Sequence, residues 1–230
     1  MATQPPPRAV LLDSGGVLVR PIGGRWNPRA DFEETVTRHA PWLTVERLAE
    51  AVTVGDRFLA AQDRTPDRDA YHAAMLRHLG VAPGPELLAE LDRAVPPAAV
   101  LEPFPEVLAT LTALRARGVP MAVVSDAWPE LRDLHAGLGL RTFFEVYAIS
   151  AELGCEKPDP RMYAHASEGL GLAPQECLFV DDRPELVAAA LALGYRGLAL
   201  VRHGTLPGGV PAIRALDELL PLFAERPAGA

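Results

Sequence analysis

Three times in this chain an apolar run stops on an acidic residue: Val10-Leu11-Leu12-Asp13, Val123-Val124-Ser125-Asp126 and Phe179-Val180-Asp181-Asp182. A short apolar run bounded by turn-forming residues reads as a strand buried on both faces. Segments of helical period separate the second and third runs. Doubly buried strands alternating with helices pack as a parallel sheet covered on both sides. In such a sheet, ligands bind just beyond the carboxyl ends of the strands. Asp13, Ser125-Asp126 and Asp181-Asp182 are therefore expected along one edge, with Asp13 delivered there by the turn Ser14-Gly15-Gly16.

The chain has 230 residues, 49% of them hydrophobic, enough for a substantial core of one large domain or a core with an inserted subdomain. Acidic residues outnumber basic ones 30 to 22, which argues against a nucleic-acid surface or an anionic-membrane patch. Two cysteines, Cys155 and Cys177, give no disulfide framework, and the start MATQPPPRAV has no signal-peptide pattern. A cytoplasmic protein, monomeric or weakly homodimeric, is expected.

In chain order, residues 1–7 read as a loose tail and 9–12 as the first strand. Val17-Leu18-Val19 is a short hairpin-like piece. From Asn27 to Val95 the pattern is helical throughout. Asn27-Pro28 and Thr65-Pro66 read as cap-then-proline starts, Thr44 as the cap of a helix through Gln62, and 85–95 as a fourth helix. Four helices without a strand suggest a bundle inserted after the first strand. Beyond it, helices over 105–117, 129–138, 160–170, 184–193 and 213–223 alternate with strands over 121–124, 145–149, 177–180 and 198–201. Residues 150–158 read as a loop.

Lys157 lies in the loop Glu156-Lys157-Pro158-Asp159-Pro160. With it the expected edge holds a carboxylate cluster, a hydroxyl and an ammonium. Clustered carboxylates are costly without a cation among them. Hard oxygen ligands suit Mg²⁺, which binds few protein groups and keeps waters and a substrate phosphate. Lys157 and the metal are placed to neutralise phosphoryl oxygens. Ser125 and the backbone N–H groups of Ser14 and Gly15 are placed to donate hydrogen bonds. That leaves Asp13 free to attack phosphorus.

These runs resemble the four motifs of the haloacid dehalogenase-like (HAD) hydrolases, in the same order. Val10 to Leu18 resembles the first motif, whose aspartate (Asp13) is the nucleophile. Val123 to Asp126 resembles the second, whose serine (Ser125) binds the phosphoryl group. Asp126 is expected to serve there through its backbone N–H. Lys157-Pro158-Asp159-Pro160 resembles the third, whose lysine balances charge. Phe179 to Pro184 resembles the fourth, whose acidic residues hold metal: Asp182 directly, Asp181 through water or as an orienting partner. The resemblance implies a Rossmann-like α/β core, residues 1–25 and 99–230, with a four-helix cap over 26–98 that closes on a small phosphorylated substrate. It also implies Mg²⁺ held by Asp13, Asp181, Asp182 and the Gly15 carbonyl.

Two positions depart from the family pattern. Phosphatases of this family carry a second aspartate, the general acid, where this chain has Gly15. Such help is typically worth about 10²–10⁴-fold, so the expected substrates have good leaving groups: a sugar 1-phosphate, an acyl phosphate or an aryl phosphate. Leu186 stands where relatives often have asparagine. The alternatives are a weak or inactive HAD-fold binding protein, favoured by Gly15, and a haloacid dehalogenase, which resembles a first motif with tyrosine at that position and needs no metal. Among other residues, Trp26 and Trp42 read as packing residues of the cap and Cys155 as inert. The histidines read as unconnected with a metal site, and Arg202-His203-Gly204 reads as a polar loop or a rim of the site.

Overall fold

The computed structural model describes residues 5–62 and 64–223, so part of the expected N-terminal tail, residues 1–4, lies outside the described residues. Ala9–Leu12, four residues with no exposed surface, form β1. Val19–Pro21 forms β2, and then come α1 (Phe32–His39), α2 (Val45–Ala60), α3 (Arg68–His78) and α4 (Pro85–Leu91). Leu101–Pro103 is β3, paired with β2 in a two-stranded sheet. The alternating part follows: α5 (Val107–Ala116), β4 (Met121–Ser125), α6 (Leu131–Gly137), β5 (Val146–Ile149), α7 (Ser150–Leu153), α8 (Pro160–Gly169), β6 (Cys177–Asp181), α9 (Pro184–Ala192), β7 (Arg196–Leu200) and β8 (Ala212–Ile213). A 3₁₀ segment, Leu216–Leu222, closes the described chain.

The chain divides into two units, one holding the described residues of Met1–Arg20 and Pro103–Ala230, the other those of Pro21–Glu102. The first is the α/β unit. Its six parallel strands run in the order β5-β4-β1-β6-β7-β8. Numbered by their succession within this sheet the order is 3-2-1-4-5-6, that of the Rossmann fold. The chain's direction of winding reverses between β1 and β6, the switch point at which such sheets bind ligands. Register is tight there: Leu12 pairs with Val180 on one side and Val123 on the other. The buried core on one side of the sheet includes Leu11, Ala122, Val124 and Phe179, with Tyr163 of α8 packed edge-on against Phe179 at 5.0 Å. Leu186 lies in that core too, 2% exposed on α9, so its apolar side chain is explained by packing.

Among its described residues the second unit carries α1 to α4, with a core of Phe32, Val36, Leu48, Tyr71, Met75 and Leu76, among others. Gly55 on α2 permits close approach of α3, since a β-carbon there would sit 2.7 Å from Met75 Sδ. Thr44 caps α2, its hydroxyl accepting from Arg47 N. Several sequence expectations require correction. α1 starts at Phe32, after Asp31, rather than beside Pro28, because a capping residue followed by proline serves equally well in a turn. Asp67, not Thr65, caps α3 by accepting from Asp69 N. α4 ends at Leu91, not Val95. Trp26 and Trp42 are 48% and 71% exposed rather than packed, because other side chains already fill the helical core. In the α/β unit, residues 150–153 are a helical turn, not loop, and the expected last helix is strand β8 followed by 3₁₀ structure with Pro221 inside it. Among the described residues no helix is long and apolar enough to cross a membrane.

Candidate active site

At the end of β1 the chain turns sharply, and several backbone groups of the turn are paired. Asp13 N–H donates to Val180 O, Gly16 N–H to Val19 O, and Leu18 and Val19 N–H both to Ser14 O, all within 3.0 Å. The N–H groups of Ser14, Gly15 and Val17 take no part in these bonds. Gly16 is required here for two reasons. Its φ is +71°, in the left-handed region, and a β-carbon would lie 2.0 Å from Asp182 Oδ2. Gly16→Ala is expected to cost roughly 2–3 kcal/mol. The melting temperature should then fall by about 5–10 °C; an unchanged thermal melt would mean the turn does not press on Asp182.

Asp13, Asp181 and Asp182 come together across the switch point, each offering a carboxylate oxygen within 4.8 Å of the others. Lys157 sits among them, 7% exposed, with Nζ 2.9 Å from Asp13 Oδ1 and 2.7 Å from Asp181 Oδ2. It is the only lysine in the chain; every other fixed cation is arginine. Its compact ammonium touches both carboxylates at once. Burial pulls the Lys157 pKa down, but the charges of Asp13, Asp181 and Asp126 outweigh it and hold the ammonium protonated. Asp181 has no exposed surface and both its oxygens are engaged, Oδ2 by Lys157 and Oδ1 by Arg183 N–H at 2.9 Å. Burial, then Asp13, raise its pKa against the pull of Lys157. Asp182 is exposed on its outer side and has no ion pair among the described residues. Withdrawal from water, then Asp13 and Asp181, push its carboxyl up to about 6. The Lys157 contact with Asp13 lacks hydrogen-bond alignment, so Asp13 Oδ1 remains a buried oxygen with no hydrogen-bond donor. Three hard oxygen donors, one of them orphaned and one unpaired, suit a divalent cation such as Mg²⁺.

The second and third sequence runs flank this centre. Ser125 is buried at the end of β4, beside β1. Asp126 was expected to act through its backbone, but its side chain has a partner as well: Oδ1 accepts the Lys157 backbone N–H at 2.9 Å and so ties the lysine loop to β4. The Lys157–Pro158 peptide is cis. Cys155 is buried, and its thiol is pushed up, chiefly by burial, away from the reactive thiolate.

Two side chains support the turn after β1. Arg202 is more than a rim residue. Its Nε and Nη2 donate to Gly16 O and Val17 O at 3.0 and 2.8 Å, while Nη1 pairs with Glu106 at 2.6 Å. Its guanidinium lies over the Phe104 ring at 3.4 Å. His135 on α6 meets the Ser14 hydroxyl, Nε2 to Oγ 2.8 Å, in a buried contact. Neither has a local sequence signal, because Gly16, Val17 and Ser14 each lie more than a hundred residues from the side chain that meets them. The lone lysine of an arginine-rich chain is the one signal that would have singled out Lys157 by composition.

Residues 7–194 match the haloacid dehalogenase-like hydrolase family. The chain is 35% identical to the glyceraldehyde 3-phosphate phosphatase of Methanopyrus kandleri over 47% of this chain and 48% of that one. It is 28% identical to phosphatase MT3486 of Mycobacterium tuberculosis over 92% of this chain and 94% of that one. Thus the chain spans about half the length of the first relative and nearly all of the second. Its fold is similar to that of the L-2-haloacid dehalogenase from Xanthobacter autotrophicus, with a TM-score of 0.64 at 23% identity, covering 94% of this chain and 97% of that one.

Proposed function

The chain belongs to the haloacid dehalogenase-like hydrolases, and from that premise we propose that it is a Mg²⁺-dependent phosphatase of a small phosphorylated metabolite with a good leaving group. The observation that carries this reading is the pairing of Asp13 with the chain's one lysine at the switch point, facing Asp181 and Asp182. The order of events follows from the residues. A carboxylate oxygen of Asp13 attacks phosphorus while the bond to the leaving oxygen breaks, and that oxygen departs with the electron pair. The product is an aspartyl-phosphate on Asp13. Water then attacks phosphorus, releasing phosphate and restoring the carboxylate, its proton passing to solvent. Lys157 balances phosphoryl charge throughout, and the Ser125 hydroxyl with the Ser14 and Gly15 N–H groups receives the phosphoryl oxygens. Asp13, Asp182 and the Gly15 carbonyl would hold Mg²⁺, with Asp181 orienting. When bound, the ion neutralises phosphoryl oxygens as charge builds on them. On the same reading residues 26–98 are the specificity element and residues 1–25 and 99–230 carry the chemistry.

Gly15 has no proton to give, so the leaving group departs unaided. This also supports a second reading, a HAD-fold protein with little or no turnover. Dehalogenation is disfavoured by the same glycine and by an acidic cluster that such chemistry does not need.

The test is phosphate release from a panel running from acyl, aryl and anomeric sugar phosphates to simple alkyl phosphates, with and without Mg²⁺. Release is expected to need Mg²⁺ and to favour the activated esters by about 10²-fold or more. Gly15→Asp is expected to narrow that gap by accelerating the alkyl esters. Equal turnover of alkyl and activated esters would remove the leaving-group preference. No release from any ester by the folded protein would replace the phosphatase with the binding protein.

A further inference from the structure

Beneath the nucleophile turn lies a polar chain that the chemistry above leaves unused. Ser14 is 2% exposed, and its hydroxyl meets His135 Nε2 at 2.8 Å. His135 Nδ1 in turn meets the Tyr147 hydroxyl at 2.9 Å. His135 has no exposed surface and Tyr147 has 3%. The chain runs from the turn after β1, through α6, to β5, crossing over β4. It is firmly housed. The imidazole packs against the Phe144 and Tyr147 rings at 5.9 and 5.6 Å, and the guanidinium groups of Arg132 and Arg141 lie over the Tyr147 ring at 5.3 and 5.0 Å. Burial first, and Arg141 second, hold the His135 pKa down to about 4, so the ring is neutral at physiological pH. A neutral imidazole has one donor and one acceptor, so the bond to Tyr147 sets the role of the ring in the bond to Ser14.

Ser14 is thereby gripped at both its carbonyl, which accepts from Leu18 and Val19, and its side chain. These bonds do not use the N–H groups of Ser14 and Gly15, the two that follow Asp13. A buried serine hydroxyl bonded to a buried histidine is costly to retain unless both are satisfied. Here satisfaction of one fixes the backbone next to Asp13.

We propose that His135 is a positioning residue, acting through the Ser14 hydroxyl to hold the Ser14 and Gly15 N–H groups where a phosphoryl oxygen is received. The assignment rests on the phosphatase reading for its consequence and on the contacts themselves for the hold. Preorganised donors matter most where charge develops, so loosening them should lower kcat more than it changes KM.

Glutamine and asparagine separate this role from packing. A glutamine amide reaches about where Nε2 does and so can still meet Ser14, whereas asparagine reaches only about as far as Nδ1. With p-nitrophenyl phosphate as substrate, Ser14→Ala and His135→Asn are each expected to lower kcat about tenfold with little change in KM. His135→Gln should stay within about threefold of the parent, and Ser14→Ala/His135→Asn should be no worse than Ser14→Ala alone. In ¹⁵N-labelled protein without metal or substrate, the Gly15 and Gly16 amide signals should move in Ser14→Ala and His135→Asn and stay in His135→Gln. Equal loss in His135→Gln and His135→Asn, or full activity in Ser14→Ala, would overturn the proposal. Should His135→Asn not fold, Ser14→Ala carries the same comparison against His135→Gln. If the parent protein releases no phosphate, the phosphatase reading fails, and the amide signals still decide whether His135 holds the turn: unmoved signals in Ser14→Ala refute it.

Discussion

Asp13→Asn is expected to lower phosphate release by about 10⁴-fold or more while leaving the protein folded. The activity falls because the amide is no nucleophile toward phosphorus and forms no phosphoenzyme. The fold survives because asparagine has the same shape and because three carboxylates share one cluster with a single ammonium. Removing one negative charge relieves Asp181 and Asp182, both of whose pKa values Asp13 helps to raise. The melting temperature without metal should therefore be equal to or above that of the parent. Two measurements check this: phosphate release with the best ester of the panel, and a thermal melt of the metal-free protein. A variant that keeps a tenth of the activity would exclude Asp13 as the nucleophile. A variant that unfolds would show that Asp13 is needed for the core, and the loss of activity would then carry no mechanistic weight.

Lys157→Met should do the opposite to stability. The methionine fills similar volume, but Asp181, with no exposed surface, loses the ammonium it pairs with. Breaking a buried pair by removing one partner typically costs about 3–5 kcal/mol. For a chain of this size that amounts to a fall of roughly 6–20 °C in melting temperature. The deficit should depend on pH with a definite sign. In the parent, the raised Lys157 pKa contributes stability that is present below the unfolded lysine value and lost only as pH rises through the folded one. In the variant, Asp181 and Asp182 keep pKa values raised above the unfolded carboxyl. A raised carboxyl favours the fold when protonated and loses that contribution as pH climbs through its folded pKa. The deficit is therefore largest near neutral pH and shrinks as pH falls through about 6 and below. Melts from pH 7.5 down to about 5 read this directly; a pH-independent deficit would mean that lost packing, not stranded charge, destabilises the variant. Lys157→Arg should rescue only part of it, since a larger planar guanidinium must take the place of a compact, buried ammonium. Because the chain has one lysine, selective ¹⁵N-lysine labelling gives a single signal from this site.

Much of the α/β architecture is legible in the sequence because burial on both faces of a strand demands an uninterrupted apolar run. Ala9–Leu12, Met121–Ser125 and Cys177–Asp181 satisfy that demand locally. The strands that no such run announces are those that lack it: β2 and β3 are three residues each, partly exposed, and pair across residues 22–100, while β8 is two residues long. A proline after a capping residue does not fix a helix start, as at 27–28 and 65–66, since the same pair serves equally well in a turn.

By itself the sequence determined which chemical groups reach the edge of the sheet, because strand burial and turn chemistry are properties of a few neighbouring residues. Asp13, Ser125, Lys157, Asp181 and Asp182 follow from that. Only the tertiary structure decided how those groups are shared out: Lys157 between Asp13 and Asp181, Asp126 to the lysine loop, Asp182 pressed against Gly16, Ser14 to His135, and Arg202 to the carbonyls of Gly16 and Val17. Each of these contacts joins residues from distant parts of the chain, and each is selected by packing and charge in three dimensions, for which no stretch of sequence carries a period or a motif.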